Sequence, residues 1–202
     1  MDTSPCSGTA RARCAAAGLC LGALLALAPV RQLLESSMWR HMLVQFPLWM
    51  LVGCWLASAL GARARERIAR WNADGISGLV ATAVVLAVLM VPRVLDLALV
   101  RPDIEVAKCT ALVVAGAALR LSWRPAGQVV QGFFLGNLLP MMVVVGQLYI
   151  DSPLRVCNAY LLGDQVRLGQ WLVGMAAGGA VGWLCRVAWT LVRHGHLPRE
   201  RR

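Results

Sequence analysis

The sequence has few charged and few aromatic side chains. Of its 202 residues, only 15% are charged and 6% are aromatic, whereas 58% are hydrophobic and the mean hydropathy is +0.63. These values lie outside the range of soluble globular domains. The composition therefore predicts an integral membrane protein whose main solvent is lipid.

Sequence motifs that mark common enzymes are also missing. The chain has no GxSxG or HExxH pattern and no GxxxxGK followed by Ser or Thr, and its apolar stretches hold no close pair of carboxylates. We therefore expect no enzymatic activity. Basic runs interleaved with aromatics are absent too, so the net charge of +10 does not predict a nucleic-acid partner.

The cysteines do not form a CxxC motif or any other close pair. Most of them fall within apolar stretches, and we interpret them as small buried thiols. The seven residues are Cys6, Cys14, Cys20, Cys54, Cys109, Cys157 and Cys185.

Apolar stretches interrupted by charges and turn residues predict an all-α bundle of about six transmembrane helices. The predicted spans are residues 14–30, 41–60, 75–91, 109–121, 129–150 and 168–192. The fourth is the shortest, and Lys108 and Arg120 at its ends can extend to the interface. Because no loop is long enough for another domain, residues 1–202 are expected to form a single membrane domain.

The first apolar segment has two interpretations. Arg11 and Arg13 followed by an apolar run and Ala26-Leu27-Ala28 resemble a cleaved signal peptide. Pro29 directly after that site disfavours cleavage. We therefore interpret the segment as a retained helix.

The loops differ in charge between the two sides of the predicted membrane. Basic residues, including Arg63, Arg65, Arg67 and Arg70, are concentrated on the side of the termini, and more of the acidic residues lie on the other side. Positive loops remain in the cytoplasm. The pattern predicts a multi-pass protein of the bacterial inner membrane with both termini cytoplasmic.

A candidate metal site lies at the outer end of the second span. Met38, His41, Met42 and Gln45 are spaced so that a helix places them on one face. Thioether and imidazole ligands favour Cu(I), and an intramembrane histidine suggests a function. We therefore predict that His41, Met42 and Met38 bind copper, with further ligands available from Met90, Met141 and Met142. The alternative is an interfacial histidine beside methionines that only fill space.

Polar and small residues in the last two spans have packing interpretations. Pro140 and the polar side chains of the fifth span indicate a buried, kinked helix. This helix either lines a substrate path or holds neighbouring helices together through its polar groups. Glycine ridges in the last two spans favour close helix packing. These residues are Gln128, Gln131, Asn137, Gln147, Gly132, Gly136, Gly174, Gly178 and Gly182.

Two further polar groups lie outside the spans. His194 and His196 form an HxH in the basic tail, which we interpret as a lipid-facing segment rather than a metal site. Asp151 and Asp164 lie in one predicted outer loop, where they are either solvated or part of a polar vestibule.

Short motifs resemble the caa3-type cytochrome c oxidase assembly factors, the CtaG-like membrane proteins. Residues 37–48 (SMWRHMLVQFPL) resemble the histidine-containing second helix of that family. Residues 139–146, Leu148-Tyr149, Tyr160-Leu161 and Asp164-Gln165 with Gly169 resemble its fifth helix, outer loop and next helix. The match covers about a quarter of the chain, and Gln45 stands where the family has a second histidine.

The resemblance implies a non-enzymatic factor that assists maturation of a haem-copper oxidase. It implies that His41 handles Cu(I) at the outer face and that Asp164 and Gln165 are the family's outer-loop polar pair. The expected partners are the lipid bilayer and an oxidase subunit. The alternatives are a transporter of ions or small molecules built around the fifth span, and a structural membrane subunit without metal.

Overall fold

A computed structural model describes residues 8–157 and 159–195, and every regular element in this part of the chain is helical. The all-α prediction is therefore confirmed for these residues. The elements are α1 (Gly8–Ala26), α2 (Ala28–Glu35), α3 (Met38–Arg40), a π-helical turn (His41–Gln45), α4 (Phe46–Ala59), α5 (Ala62–Trp71), α6 (Ile76–Leu89), α7 (Pro92–Val100), α8 (Pro102–Ser122), α9 (Gly127–Asp151) and α10 (Leu162–Gly195).

The predicted count of six spans is not confirmed. Within the described residues, four helical stretches are long and apolar enough to cross a membrane: Gly8–Ala26, Met38–Ala59, Gly127–Asp151 and Leu162–Arg193. The pair α5 and α6 raises the number to five if the two are taken as one span bent by 83°. The predicted fourth span lies within α8, which has the length to cross but carries Asp103, Glu105, Lys108 and Arg120.

Several predicted boundaries also change. The first span, residues 14–30, is divided at Leu27, whose backbone is extended. Helix α1 ends before this residue and α2 begins after it, with Pro29 in the first turn of α2. The third span, residues 75–91, contains only the 14-residue α6, which is about 21 Å long and shorter than the hydrocarbon core. Gly75 precedes α6 with a φ of 68°, a value that favours glycine at the bend.

Close contact between α4 and α8 forms the centre of the bundle. A Cβ atom on Gly53 would overlap the carbonyl of Val113, and one on Gly116 would overlap the carbonyl of Met50. Only glycine permits this approach of the two backbones. Helix α1 packs on the other side of α4, with Gly18 against Leu56.

The helices run between two ends of the bundle. One end, called the His41 end, contains the π-helical turn, the start of α8 and the loop between α9 and α10, because His41 contacts both Lys108 and Tyr160. The opposite end, called the arginine end, contains the C-terminal ends of α4 and α8, where Arg120 bonds Ser58. The buried methionines of the main core cluster lie at the His41 end.

Candidate functional site

The structure buries His41 completely and bonds both of its ring nitrogens. Its exposed fraction is 0%. Nδ1 lies 2.6 Å from the Tyr160 hydroxyl, and Nε2 lies 2.7 Å from Lys108 Nζ. The π-helical turn that begins at His41 widens the helix locally, a feature that often occurs at functional sites.

Lys108 has a carboxylate partner from its own helix. Its Nζ lies 2.7 Å from Glu105 Oε2, and Lys108 and Glu105 are only 2% and 7% exposed. A charged lysine can only donate hydrogen bonds. His41 Nε2 is then the acceptor, so Nδ1 carries the proton and donates to Tyr160. A neutral imidazole of fixed tautomer therefore joins the ion pair to the tyrosine.

The fully buried Gln45 and the half-buried Glu35 extend this group of polar side chains. Gln45 is 0% exposed and its amide nitrogen lies 3.4 Å from Glu35 Oε1, while its own Oε1 has no hydrogen-bond partner among the described residues. The side chain of Glu35 is 14% exposed, and its Oε2 lies 3.7 Å from Arg31 Nε. Burial, reinforced by the charge of Glu105, raises the pKa of Glu35 above its ordinary value. Together, the buried polar cluster comprises Glu35, His41, Gln45, Glu105, Lys108 and Tyr160.

The loop between α9 and α10 positions Tyr160. Gln165, 2% exposed, accepts a hydrogen bond of 2.8 Å from the Val156 amide and donates to the carbonyls of Tyr149 and Leu154. These bonds tie the loop to both flanking helices. Burial raises the pKa of Tyr160, with a smaller contribution from Glu35, so the phenol keeps its proton at neutral pH.

Two cavities border the carboxylates of the buried polar cluster. One, of about 130 Å³, is lined by Arg31, Glu35 and Glu105 together with Ala98, Leu99, Val100 and Pro102. The other, of about 460 Å³, is lined in part by Arg31, Trp49, Glu105 and Cys109. Glu105 therefore lines both cavities, whereas Glu35 lines only the smaller one.

The predicted copper ligands lie together in the same core. Met38 and Met42 are 0% and 5% exposed, and Met90 and Met142 pack against the cluster that contains them. Met141 is not a member of that cluster. Among the described residues, no group of three or more His, Cys, Asp or Glu side chains could hold a metal ion. Any soft-metal site here therefore depends on thioethers and on His41.

The polar residues of the fifth predicted span do not surround a polar cavity. Gln131 donates to the Trp123 carbonyl, Asn137 to the Phe133 carbonyl of its own helix, and Gln147 to Asp151. The cavity beside Pro140 has a volume of about 580 Å³ and is lined by apolar residues, glycines and Trp183. The proposed substrate path through Gln131, Asn137 and Gln147 gains no support from this geometry.

Most glycines of the predicted ridges do not lie at helix contacts, and the two acidic residues of the predicted outer loop, Asp151 and Asp164, belong to helices. A Cβ on Gly136, Gly174, Gly178 or Gly182 would meet no atom within 4 Å, whereas α9 and α10 approach each other at Gly146 and Gly169. Asp151 accepts hydrogen bonds from Gln147, and Asp164 lies in the first turn of α10. His196 of the HxH lies outside the described residues.

Sequence reasoning missed the partners of His41. Lys108 was expected to extend to the interface, but Lys108 and its partner Glu105 are both buried. The available signal was that Lys108 is the only lysine of the chain and follows Glu105 by one helical turn. No known protein family, curated protein or solved structure matches the chain.

Proposed function

We propose that the chain is a non-enzymatic membrane factor for the assembly of a haem-copper cytochrome c oxidase, and that it handles Cu(I) at the His41 end. One observation carries this proposal. The two segments that resemble the CtaG-like proteins are far apart in the sequence, yet His41 of one lies 2.6 Å from Tyr160 of the other. Gln165, from the second segment, holds the loop that carries Tyr160.

Cu(I) is cargo in this proposal and not a resident cofactor. A metal binds the unprotonated ring nitrogen of a neutral histidine, and in His41 that is Nε2. Lys108 occupies Nε2, so the described arrangement is closed to copper. Copper binding through His41, Met38 and Met42 requires that Lys108 leave Nε2. After this move, the ammonium group of Lys108 would still be paired with Glu105.

Copper retention tests this proposal. The full chain, purified in detergent and treated with Cu(I) under reducing conditions, should retain about one copper per chain. Retention should be lost in His41→Ala and reduced in Met42→Leu. Met175→Leu is the matched control, because this methionine is 46% exposed on α10 and lies far from His41. Equal retention by wild type and His41→Ala would rule out a role for His41 in copper binding.

The other interpretations have less support. Among the described residues, the transporter alternative lacks the polar cavity it requires along α9, and the structural-subunit alternative does not explain why five polar side chains are buried together beside the half-buried Glu35. A multi-pass location in the bacterial inner membrane with cytoplasmic termini remains part of the proposal.

A further inference from the structure

The arginine end of the bundle contains a cavity lined by three guanidinium groups. Arg65 from α5, Arg120 from α8 and Arg124 from the turn after α8 surround a space of about 270 Å³ together with Ser58. No carboxylate is among its lining residues in the part of the chain that the structure describes. Such a concentration of positive charge without a counter-ion favours an anionic ligand.

Most of the hydrogen-bond donors in this cavity remain available. Arg65 donates to the Ser58 carbonyl at 2.7 Å, and Arg120 donates through Nε to the Ser58 hydroxyl at 3.2 Å. These bonds orient the two side chains but use only one donor group of each. Each guanidinium has five N–H donors in a geometry that suits phosphate oxygens.

An apolar groove adjoins the arginine cavity. It has a volume of about 460 Å³ and is lined by Trp71, Ser77, Gly78 and Ala118, together with Ile68, Asn72 and Leu121, which also line the arginine cavity. The two spaces are therefore continuous along one side of α5. A charged chamber beside an apolar groove matches a ligand with an anionic head and a hydrocarbon tail.

The position of α5 corresponds to that of the membrane interface. This helix makes an angle of 83° with α6, carries Arg63, Arg65, Arg67 and Arg70, and buries none of its residues. Trp71 at its end is 89% exposed. Basic amphipathic helices that end in an aromatic residue lie in the plane of the interface, where they meet phospholipid headgroups.

We propose that the arginine end is a binding site for an anionic phospholipid. Arg65, Arg120 and Arg124 bind the phosphodiester, and an acyl chain lies in the groove beside Ile68 and Trp71. The lipid joins α5 to the end of α8 and thereby fixes the short helix against the bundle.

The test measures thermal unfolding of the detergent-purified full chain during titration with three probes: phosphatidylglycerol, phosphatidylcholine and inorganic phosphate. We expect stabilisation by phosphatidylglycerol alone, and weakening of this effect as salt rises. The informative variant is Arg124→Gln, because the Arg124 side chain makes no hydrogen bond or ion pair among the described residues and its loss should leave the fold intact. The matched control is Arg93→Gln, an exposed arginine at the opposite end.

The apparent affinity for phosphatidylglycerol should fall about fivefold in Arg124→Gln and remain unchanged in Arg93→Gln. Arg124→Lys should retain most of it, since the charge remains. Equal stabilisation by phosphatidylcholine would overturn the proposal in favour of a general detergent or lipid effect. Equal stabilisation by inorganic phosphate would replace it with a free-anion site, and equal losses in Arg124→Gln and Arg93→Gln would show that the lipid binds elsewhere. If the variants do not fold, the comparison of the three probes on the wild type still shows whether the ligand is an anionic lipid, any lipid or a free anion.

Discussion

At the scale of single residues, the ion pair between Lys108 and Glu105 determines the state of His41. An ammonium group 2.7 Å from Nε2 is satisfied there only if the imidazole is neutral and its other nitrogen carries the proton. The histidine is therefore held in one tautomer by groups from two other segments, α8 and the loop between α9 and α10. This explains how a polar ring can be fully buried in an apolar bundle.

Removing the charge of Lys108 alone should destabilise the fold more than removing the charges of both Lys108 and Glu105. Lys108→Leu leaves Glu105 as a buried charge without a partner, which should cost about 3 to 5 kcal/mol in unfolding free energy. The double variant Lys108→Leu with Glu105→Gln removes both charges and should recover most of that stability. Thermal unfolding in detergent measures both. If the two variants were equally unstable, the ion pair would not be the reason for the loss.

Glu35 should make the stability dependent on pH. Its pKa is raised in the folded protein, so the folded state binds the proton more tightly than the unfolded state does. The resulting stabilisation is complete below pH 4.5, the ordinary pKa, and disappears as the pH rises through the raised value. Glu35→Gln should therefore raise the melting temperature at pH 8 and leave it unchanged at pH 4.

Glu66→Gln, an exposed residue of α5, is the control for this measurement and should have no effect at either pH. If the melting temperature of Glu35→Gln equals that of the wild type from pH 4 to pH 8, the raised pKa of Glu35 would be contradicted.

At the scale of elements, the contact between α4 and α8 depends on two glycines. Gly116→Val would place side-chain atoms on the Met50 carbonyl, so the helices must separate at a cost of about 3 kcal/mol. Gly178→Val is the matched control, because a Cβ there meets nothing within 4 Å. We expect the melting temperature in detergent to fall for the first and to remain unchanged for the second. Comparable losses in both would mean that helix propensity, and not packing, dominates.

The elements also show what periodicity can predict in an apolar chain. The spacing of Met38, His41, Met42 and Gln45 correctly placed four side chains on a buried face. The predicted fourth span, residues 109–121, begins only after Lys108, because charges were taken as span boundaries. Charged residues that pair within the bundle cannot be recognised in this way, since their partners come from other segments. Tyr160 is 119 residues from His41, and only the packed structure brings them together.

At the scale of the whole molecule, the two ends of the bundle have different chemistry. The His41 end holds methionines and the buried polar cluster, whereas the other end holds exposed arginines from α5, α8 and the following turn. Positive charge at one end orients a membrane protein with that end in the cytoplasm. The His41 end would then face the outer side, where copper is delivered to an oxidase in the proposed function.

Reporter fusions at the two termini test this orientation. Both fusions should show activity typical of the cytoplasm, because the arginines of α5 remain on the inner side. Reversing the charge of α5 by changing Arg63, Arg65, Arg67 and Arg70 to Glu should weaken that preference. Termini on opposite sides of the membrane would contradict both the orientation and the even number of crossings that it requires.

The central claim is that His41 handles Cu(I) and that Lys108 closes its binding nitrogen. The most direct test is the copper retained by the double variant Lys108→Leu with Glu105→Gln, compared with wild type and with the same variant carrying His41→Ala. At a free Cu(I) concentration that half-saturates the wild type, the account predicts more copper in the double variant than in wild type, and none after His41 is also removed. A double variant that folds but retains no more copper than wild type, or retention that survives the loss of His41, would contradict the claim.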